Sequence, residues 1–506
     1  MKKKLLSLLM LALGVASMSA QAPKREFRGA WLHTVHQWQY SKMTPDETRK
    51  YLIGLLDSLE MTGHNAVIFQ VRPSADALYP SKLEPWSRFV TGKAGVAPSP
   101  VWDPLQFMIT ESHKRGMELH AWLNPYRVTT SKNEKLAPNH IYFKHPERFV
   151  TYGDKMYFDP GLPENREFIE GVVADIVTRY DVDAIHMDDY FYPYPVKGKD
   201  FPDKKSYAKY GKGMNIGDWR RENVNLLIEG LHKVIQNTKP WVRLGISPFG
   251  IWRNKKSDPR GSDTNGLQNY DELYADVILW TEKGWVDYML PQLYWELEKE
   301  VASSEKLAYW WSDNANGRHM YIGQDVNRTM SVKDINGSTD PNQLAHKIAL
   351  SRQLPNIHGN CWWPGYSVTR NFKGIADSLA TKEQNTIAII PPYSWIDNVA
   401  PEAATGLKAV ANNDKVTLSW NMPKVADALQ EARAYCVYVF ADGESVNTEC
   451  SKAIKALVYD DAYRVDENSV QYQLKGLKKG TYTIVVTTLD RAWNESQPTA
   501  KVSVTI

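Results

Sequence analysis

Eight short apolar runs, each separated from the next by a stretch of helical spacing, constrain this chain more than any other feature. The strand-like runs cover residues 27–34, 66–72, 118–124, 184–189, 242–247, 286–294, 320–326 and 357–363. Between the first two, Thr44-Pro45-Asp46-Glu47 pairs an N-cap with proline at the first helical position. Leu52, Leu55, Leu56 and Leu59 follow at helical spacing. A second helix is expected over 104–115, stopped by Gly116, and a third over 163–180 with Phe168, Val172 and Ile176 on one face. Residues 219–237 and 344–354 supply others. Eight β units with intervening helices fit an α/β fold, a (β/α)8 TIM barrel. A doubly wound open sheet is the rival, and no Gly-rich phosphate loop at the first βα turn supports it.

Side chains alternate across a strand, so each run can be sorted into an outer apolar face and an inner mixed one. In the second run Val67, Phe69 and Val71 oppose Gln70 and Arg72; in the third Leu119, Ala121 and Leu123 oppose His120, Trp122 and Asn124. In the fourth Ile185 and Met187 oppose His186 and Asp188, with Asp189 at the rim. The sixth run ends Gln292-Leu293-Tyr294-Trp295 and the eighth Cys361-Trp362-Trp363. In a barrel these ends converge on the face that carries catalysis. An inward carboxyl at a strand end must be paired, hydrogen-bonded or held for chemistry. Asp189 serves equally well as a cap for the following loop. His186 with the two aspartates could ligate a metal, but no H-x-x-x-H or similar partner accompanies it, so neither a metal nor a cofactor is expected.

Composition narrows the partner. Among 506 residues, 43% are hydrophobic and 24% charged, with a formal charge of only +3, which excludes a disordered chain. Three cysteines cannot staple a chain this long. Lys2, Lys3 and Lys4, an apolar run over 5–16 and Ala20-Gln21-Ala22 form a signal peptide over 1–22. Its loss takes the formal charge from +3 to zero, and no basic patch calls for nucleic acid. No run is long enough to span a bilayer, so an exported protein, periplasmic or extracellular, is expected. The excess lies in the rings: 18 Trp and 27 Tyr, with 16 of the tryptophans before residue 400.

Sugar chemistry fits these parts. Aromatic faces stack on pyranose rings, polar side chains bind hydroxyls, and glycoside hydrolysis needs a pair of carboxyl groups. Asp188 is the candidate nucleophile or base; Asp189, Glu296 just past the sixth run, and Asp325 at the end of the seventh are candidates for the acid. Glu296 reads equally well as a solvated loop residue. Trp31, Trp122, Trp295, Trp362 and Trp363 are candidate platforms, each with core packing as the alternative. Candidate hydroxyl partners are His33, Gln70, Arg72, Asn124 and Tyr126, together with Arg127, His186, Tyr190, Gln292 and Tyr294. The competing function is a carbohydrate-binding barrel without catalysis. Sugar, linkage and oligomeric state stay open.

Several segments resemble motifs of the glycosyl-hydrolase-like family 10 proteins: Glu26-Phe27-Arg28-Gly29-Ala30-Trp31, Phe69-Gln70-Val71-Arg72-Pro73 and Ala121 through Arg127. Asp159-Pro160-Gly161, the Asp188-to-Pro193 run and Pro291 through Trp295 extend the match, which covers roughly residues 25–390. The resemblance implies an exported TIM-barrel glycosidase, some members being linked to cell-wall glycan strands, with Asp188 in the nucleophile position of related barrels. It also implies that His186 stands where related α-glycosidase barrels often carry Arg. Those barrels often place a Glu acid at the fifth strand, where this chain has Ser247 and Pro248.

The barrel reading runs over 23–392, followed by a linker over 393–404 and a small all-β sandwich over 405–506. Strands are expected at 416–420, 435–440, 481–488 and 500–506, punctuated by Gly406, Gly443, Gly476 and Gly480. This part resembles a fibronectin type III (Ig-like) module and reads as a spacer or docking module. Cys436 and Cys450 could pair, or Cys436 could stay a buried thiol; Cys361 reads as packing.

Overall fold

The computed structural model describes residues 22–506 apart from 336, 337, 414 and 426. The export segment expected over 1–22 therefore lies, except for Ala22, outside the described residues. Eight parallel strands close into a barrel: β1 Phe27–Leu32, β2 Ala66–Arg72, β3 Glu118–Leu123, β4 Ala184–Met187, β5 Arg243–Ile246, β6 Tyr288–Met289, β7 His319–Asp325 and β8 Ile357–Trp363. Each pairs with its sequence neighbours, and β1 joins both β2 and β8. The principal outer helices are α1 Pro45–Met61, α2 Pro104–His113, α3 Pro163–Arg179, α4 Ile216–Thr238, α5 Ser304–Asp313 and α6 Leu344–Gln353. Thr44 and Glu47 form a reciprocal capping box at the start of α1.

The alternation read from the sequence places the two cores. Val67, Phe69 and Val71 join Leu52, Leu56 and Leu59 of α1 in the outer layer, as do Leu119, Ala121, Ile185 and Met187. Phe27, Trp31, Ile68, Trp122, Tyr288 and Tyr321 fill the interior. This interior is aromatic and polar rather than built from Val, Ile and Leu. Phe27 stacks on Tyr321 at 4.0 Å between ring centroids. Tyr288 fits because β5 carries Gly245 beside it: a Cβ there would lie 1.8 Å from the phenol ring. β6 is shorter than the run 286–294 suggests, because Pro291 has no N–H to continue the ladder. A hairpin, Phe149–Tyr152 with Lys155–Phe158, is inserted after β3 where no strand was expected.

The C-terminal part holds two antiparallel sheets. One contains β9 Thr405–Asn412, β10 Lys415–Asn421 and β13 Ser469–Leu474; the other contains β11 Ala432–Ala441, β12 Ile454–Tyr459, β14 Thr481–Asp490 and β15 Val502–Thr505. β9, β12 and β13 were not anticipated. Nor is this part a spacer: it closes the floor of the barrel. Tyr393 bonds Tyr321 at 2.7 Å, and Trp395 donates to Asp287 at 2.8 Å. Trp493 donates to Glu118, the first residue of β3, at 2.7 Å. Arg433 on β11 donates to Asp183 from Nε at 3.0 Å and from Nη2 at 2.6 Å, and to Asp181 from Nη1 at 2.6 Å. Cys436 is a buried free thiol.

Candidate active site

At the opposite end of the barrel from this floor, β4 stops at Met187 and the next two residues, Asp188 and Asp189, enter a cleft of about 420 Å³. Both are buried, at 5% and 3% exposure. A chain of side-chain amides fixes the first. The Asn124 amide donates to both carboxyl oxygens of Asp188 at 2.6 Å. Asn124 Oδ1 accepts from Gln70 at 2.6 Å and from Arg127 at 2.8 Å. Gln70 Oε1 in turn accepts the backbone N–H groups of Thr34 and Val35, each at 2.9 Å. Asp189 accepts the Tyr194 hydroxyl and a bond from the Gln292 side chain. Burial, and then the neighbouring charge of Asp189, pushes the Asp188 carboxyl up to about 7. Burial raises Asp189 as well.

Below the carboxyls a polar file runs along the barrel axis. Trp31 Nε1 donates to His186 Nε2 at 3.2 Å, and Ser247 Oγ lies 3.1 Å from the same nitrogen. His186 Nδ1 is 3.0 Å from the Tyr288 hydroxyl, which is 2.8 Å from His120 Nδ1; His120 Nε2 is 2.8 Å from Glu118. A single direction of donation satisfies the whole file, from Trp31 down to Glu118. It makes His186 a neutral imidazole protonated on Nδ1, and burial followed by the His120 charge holds its pKa well below 6.5. Both of its nitrogens are taken, so it offers none to a metal beside the aspartates. Among the described residues the one set close enough to share an ion is His113, Asp181 and Asp461, beneath the barrel, where the Arg433 guanidinium already bonds Asp181.

The cleft brings together eleven of the residues singled out from sequence: Trp31, His33, Gln70, Trp122, Arg127, Asp188, Asp189, Tyr190, Gln292, Tyr294 and Trp363. Asn124 stands behind Asp188, and His186 lies beneath the floor of the cleft. Others are elsewhere. Asp325 ends β7 and turns away to cap the short helix Val326–Ser331, accepting from Arg328 N at 2.7 Å. Glu296 lies past the rim on a separate surface cavity. The two carboxylates flank Lys347, whose burial lowers its pKa to about 8 against their opposing pull. Neither faces Asp188 across the cleft. Arg72 is held by Glu84 in a bidentate pair at 2.7 and 2.6 Å, because a register shift in the β2–β3 pairing displaces it from the Gln70 row. Tyr126 and Trp362 are buried in the outer core, and Trp295 packs on Phe249. Trp363, the inward residue of the Trp362-Trp363 pair, takes the platform position.

Sequence reasoning missed Val35, His36, Thr130 and Lys155 as cleft residues. Lys155 arrives on the unanticipated hairpin, whose alternating Val150, Tyr152, Met156 and Phe158 were the available signal. A further cavity of about 360 Å³, lined by Tyr40, Phe69 and Trp102, lies on the barrel flank, since Phe69 points outward from β2.

The glycosyl hydrolase-like 10 model matches residues 26–338, from the residue before β1 to beyond β7. This chain belongs to the glycosyl hydrolase-like 10 family. It is 39% identical over 495 residues to glycosyl hydrolase YngK of Bacillus subtilis strain 168, covering 96% of this chain and 94% of that protein. To glycosyl hydrolase DigH of Escherichia coli strain K12 it is 38% identical over 370 residues, 67% of this chain and 83% of that protein. Membership makes it a glycan-acting hydrolase of the glycosidase type, in agreement with the motif resemblance. Both carboxyls of the cleft lie within the matched residues. No described helix is long and apolar enough to cross a membrane.

Proposed function

We propose that the protein is an exported glycoside hydrolase that cleaves glycosidic bonds of a polysaccharide or glycan strand, with Asp188 and Asp189 as its catalytic carboxyls. The carrying observation is the Asp188–Asp189 pair, buried in a cleft walled by Trp31, Trp122, Trp363 and Tyr294 and fixed through Asn124. A rigid, desolvated carboxyl with its pKa near 7 is suited to proton transfer at neutral pH. This favours Asp188 as the acid that protonates the departing oxygen, rather than the nucleophile or base expected from sequence. The substrate face is apolar rings with a few fixed polar groups, the composition that sugar rings select. Cell-wall glycan strands are the first substrate to try, and export rests on the character of residues 1–22.

One observation favours the non-catalytic reading: apart from the pair, no carboxylate among the described residues lines the cleft. The test is product analysis with the purified protein on a glycan panel that includes peptide-stripped peptidoglycan strands. New reducing ends that vanish with Asp188→Asn, while glycan binding persists, are the expected result. Binding without cleavage on every glycan would establish the alternative, and full turnover by Asp188→Asn would refute the assignment of the site.

A further inference from the structure

The cleft poses a chemical problem. Hydrolysis by two flanking carboxyls needs one on each side of the bond, about 5–5.5 Å apart for a protein nucleophile or about 6.5–9.5 Å apart to admit a water. Here both carboxyls come from consecutive residues at one strand end. Apart from this pair, no carboxylate among the described residues lines the cleft. A nucleophile must therefore come from somewhere other than the protein's opposite wall.

The same cleft contains a feature the acid chemistry does not use. Trp31, Trp363, Trp122 and Tyr294 form a box of near-perpendicular rings. Trp31 meets Trp363 at 6.4 Å and 78°, Trp122 meets Trp363 at 6.1 Å and 75°, and Trp31 meets Tyr294 at 6.4 Å and 89°. Such a box holds a small apolar group such as a methyl, while a flat platform would suit a sugar face. Trp31 Nε1 is committed to His186, but two other polar atoms of the box are unspent. Trp122 is 5% exposed and its buried indole N–H has no partner, and the Tyr294 hydroxyl donates to nothing among the described residues. Burial, then the charge of Asp189, keeps Tyr294 protonated, so it remains a donor. Beside these donors stands the Asp189 carboxylate, an acceptor. One methyl site, two donors and one acceptor match an acetamido group: CH3 in the box, C=O toward Trp122 and Tyr294, N–H toward Asp189.

We infer that the nucleophile of this enzyme is the substrate's own 2-acetamido group, seated in the Trp31–Trp122–Trp363–Tyr294 box against the Asp188–Asp189 pair. This rests on the glycosidase reading above and specifies its substrate as a 2-acetamido-2-deoxy sugar on the glycone side of the bond. In the first step the acetamido carbonyl oxygen bonds to C1 as the C1–O bond to the leaving sugar breaks. The proton on Asp188 passes to the departing oxygen, and the N–H of the resulting oxazolinium ion stays bonded to ionised Asp189. In the second step water adds to C1, its proton returns to Asp188, and the C1–O bond to the acetamide opens. The carbonyl oxygen must attack from the face opposite the leaving group, so the scissile bond is 1,2-trans and the product keeps its anomeric configuration.

The test uses the full-length mature protein and whichever glycan it cleaves, compared with the same glycan after chemical removal of its N-acetyl groups. Cleavage at least about 100-fold slower after de-N-acetylation, with retention seen by proton NMR, is expected if the acetamido oxygen supplies the attack. N-trifluoroacetyl replacement, which weakens the carbonyl nucleophile, should slow turnover at nearly unchanged binding. N-acetylglucosamine thiazoline should inhibit competitively, and Tyr294→Phe should weaken its binding by about 10-fold, as loss of one buried hydrogen bond predicts. Comparable rates on glycans lacking the acetamido group, inversion, or a covalent adduct on Asp188 or Asp189 trapped by a 2-deoxy-2-fluoro glycoside would overturn the inference while leaving the glycosidase reading intact. If no glycan is cleaved at all, that reading fails by itself. Thiazoline binding by calorimetry then still decides whether the box takes an acetamido group, and absence of binding refutes it.

Discussion

Arg433→Ala is expected to destabilise the whole protein although it lies in the C-terminal sheets, far from the cleft. Its guanidinium donates twice to Asp183 and once to Asp181, and its charge lies 4.9 Å from the Tyr459 ring. Asp183 is 4% exposed and also accepts Leu119 N at 2.8 Å and meets His113 Nε2 at 3.0 Å. Burial alone would raise the Asp183 carboxyl; the charges of Arg433 and His113 instead hold it well below its usual range. An exposed ion pair contributes about 0–1 kcal/mol, but removing one partner of a buried pair costs about 3–5 kcal/mol, because the remaining charge stays in a desolvated site. Asp181 is more exposed, so most of the loss comes from Asp183. For a chain of this length the unfolding entropy is about 1 kcal/mol per kelvin, so the melting temperature should fall by about 3–5 °C. Thermal and urea unfolding read by tryptophan fluorescence measure it. Asp183→Asn should recover part of the loss, with a coupling of about 0.5–3 kcal/mol in the double-mutant cycle. A loss below about 1 kcal/mol, or strictly additive single changes, would refute the view that this contact welds the sheets to the barrel floor.

Three further outcomes follow from the same geometry. With Asp188 as acid, kcat/KM should be full below about 7 and fall as pH rises through that value, because the ionised form cannot donate; a rise through the same range would make it the base instead. Asn124→Ala removes a bond that lowers the Asp188 pKa, so the alkaline limb should move upward while kcat drops by about 10-fold or more, both read from one pH–rate profile. Gly245→Ala should cost about 1–3 kcal/mol or more by overpacking against Tyr288, with activity reduced through the displaced Tyr288–His186 bond, checked by urea titration and turnover.

Much of the architecture is legible in hydrophobic period alone. β2 and β8 occupy the same residues as their apolar runs, and the alternation in 118–124 and 184–189 places Trp122 inward and Asp188 at the mouth. The rule fails where strand geometry lapses. Pro291 ends β6 and sends Trp295 and Glu296 off the inner row; a register shift after Gln70 diverts Arg72; Asp325 leaves its strand to cap a helix. Each is a local break in pleating: a missing N–H at Pro291, a register shift against β3 at Arg72, and a helix cap at Asp325. The Trp362-Trp363 pair is ambiguous for a different reason: adjacent identical residues carry no phase, and only the closure of β8 on β1 decides which ring faces in.

The order of strands and helices, the aromatic surplus and the adjacent carboxyls at a strand end are properties of the sequence by itself, because periodicity and residue type are local. The docking of the C-terminal sheets on the barrel floor, the amide chain from Thr34 to Asp188 and the ring box around Trp363 are decisions of the tertiary structure. They join residues up to 470 positions apart, as in Arg25 to Glu495. Such contacts depend on where closure of the barrel and burial of charge bring side chains together, and no local pattern encodes that distance.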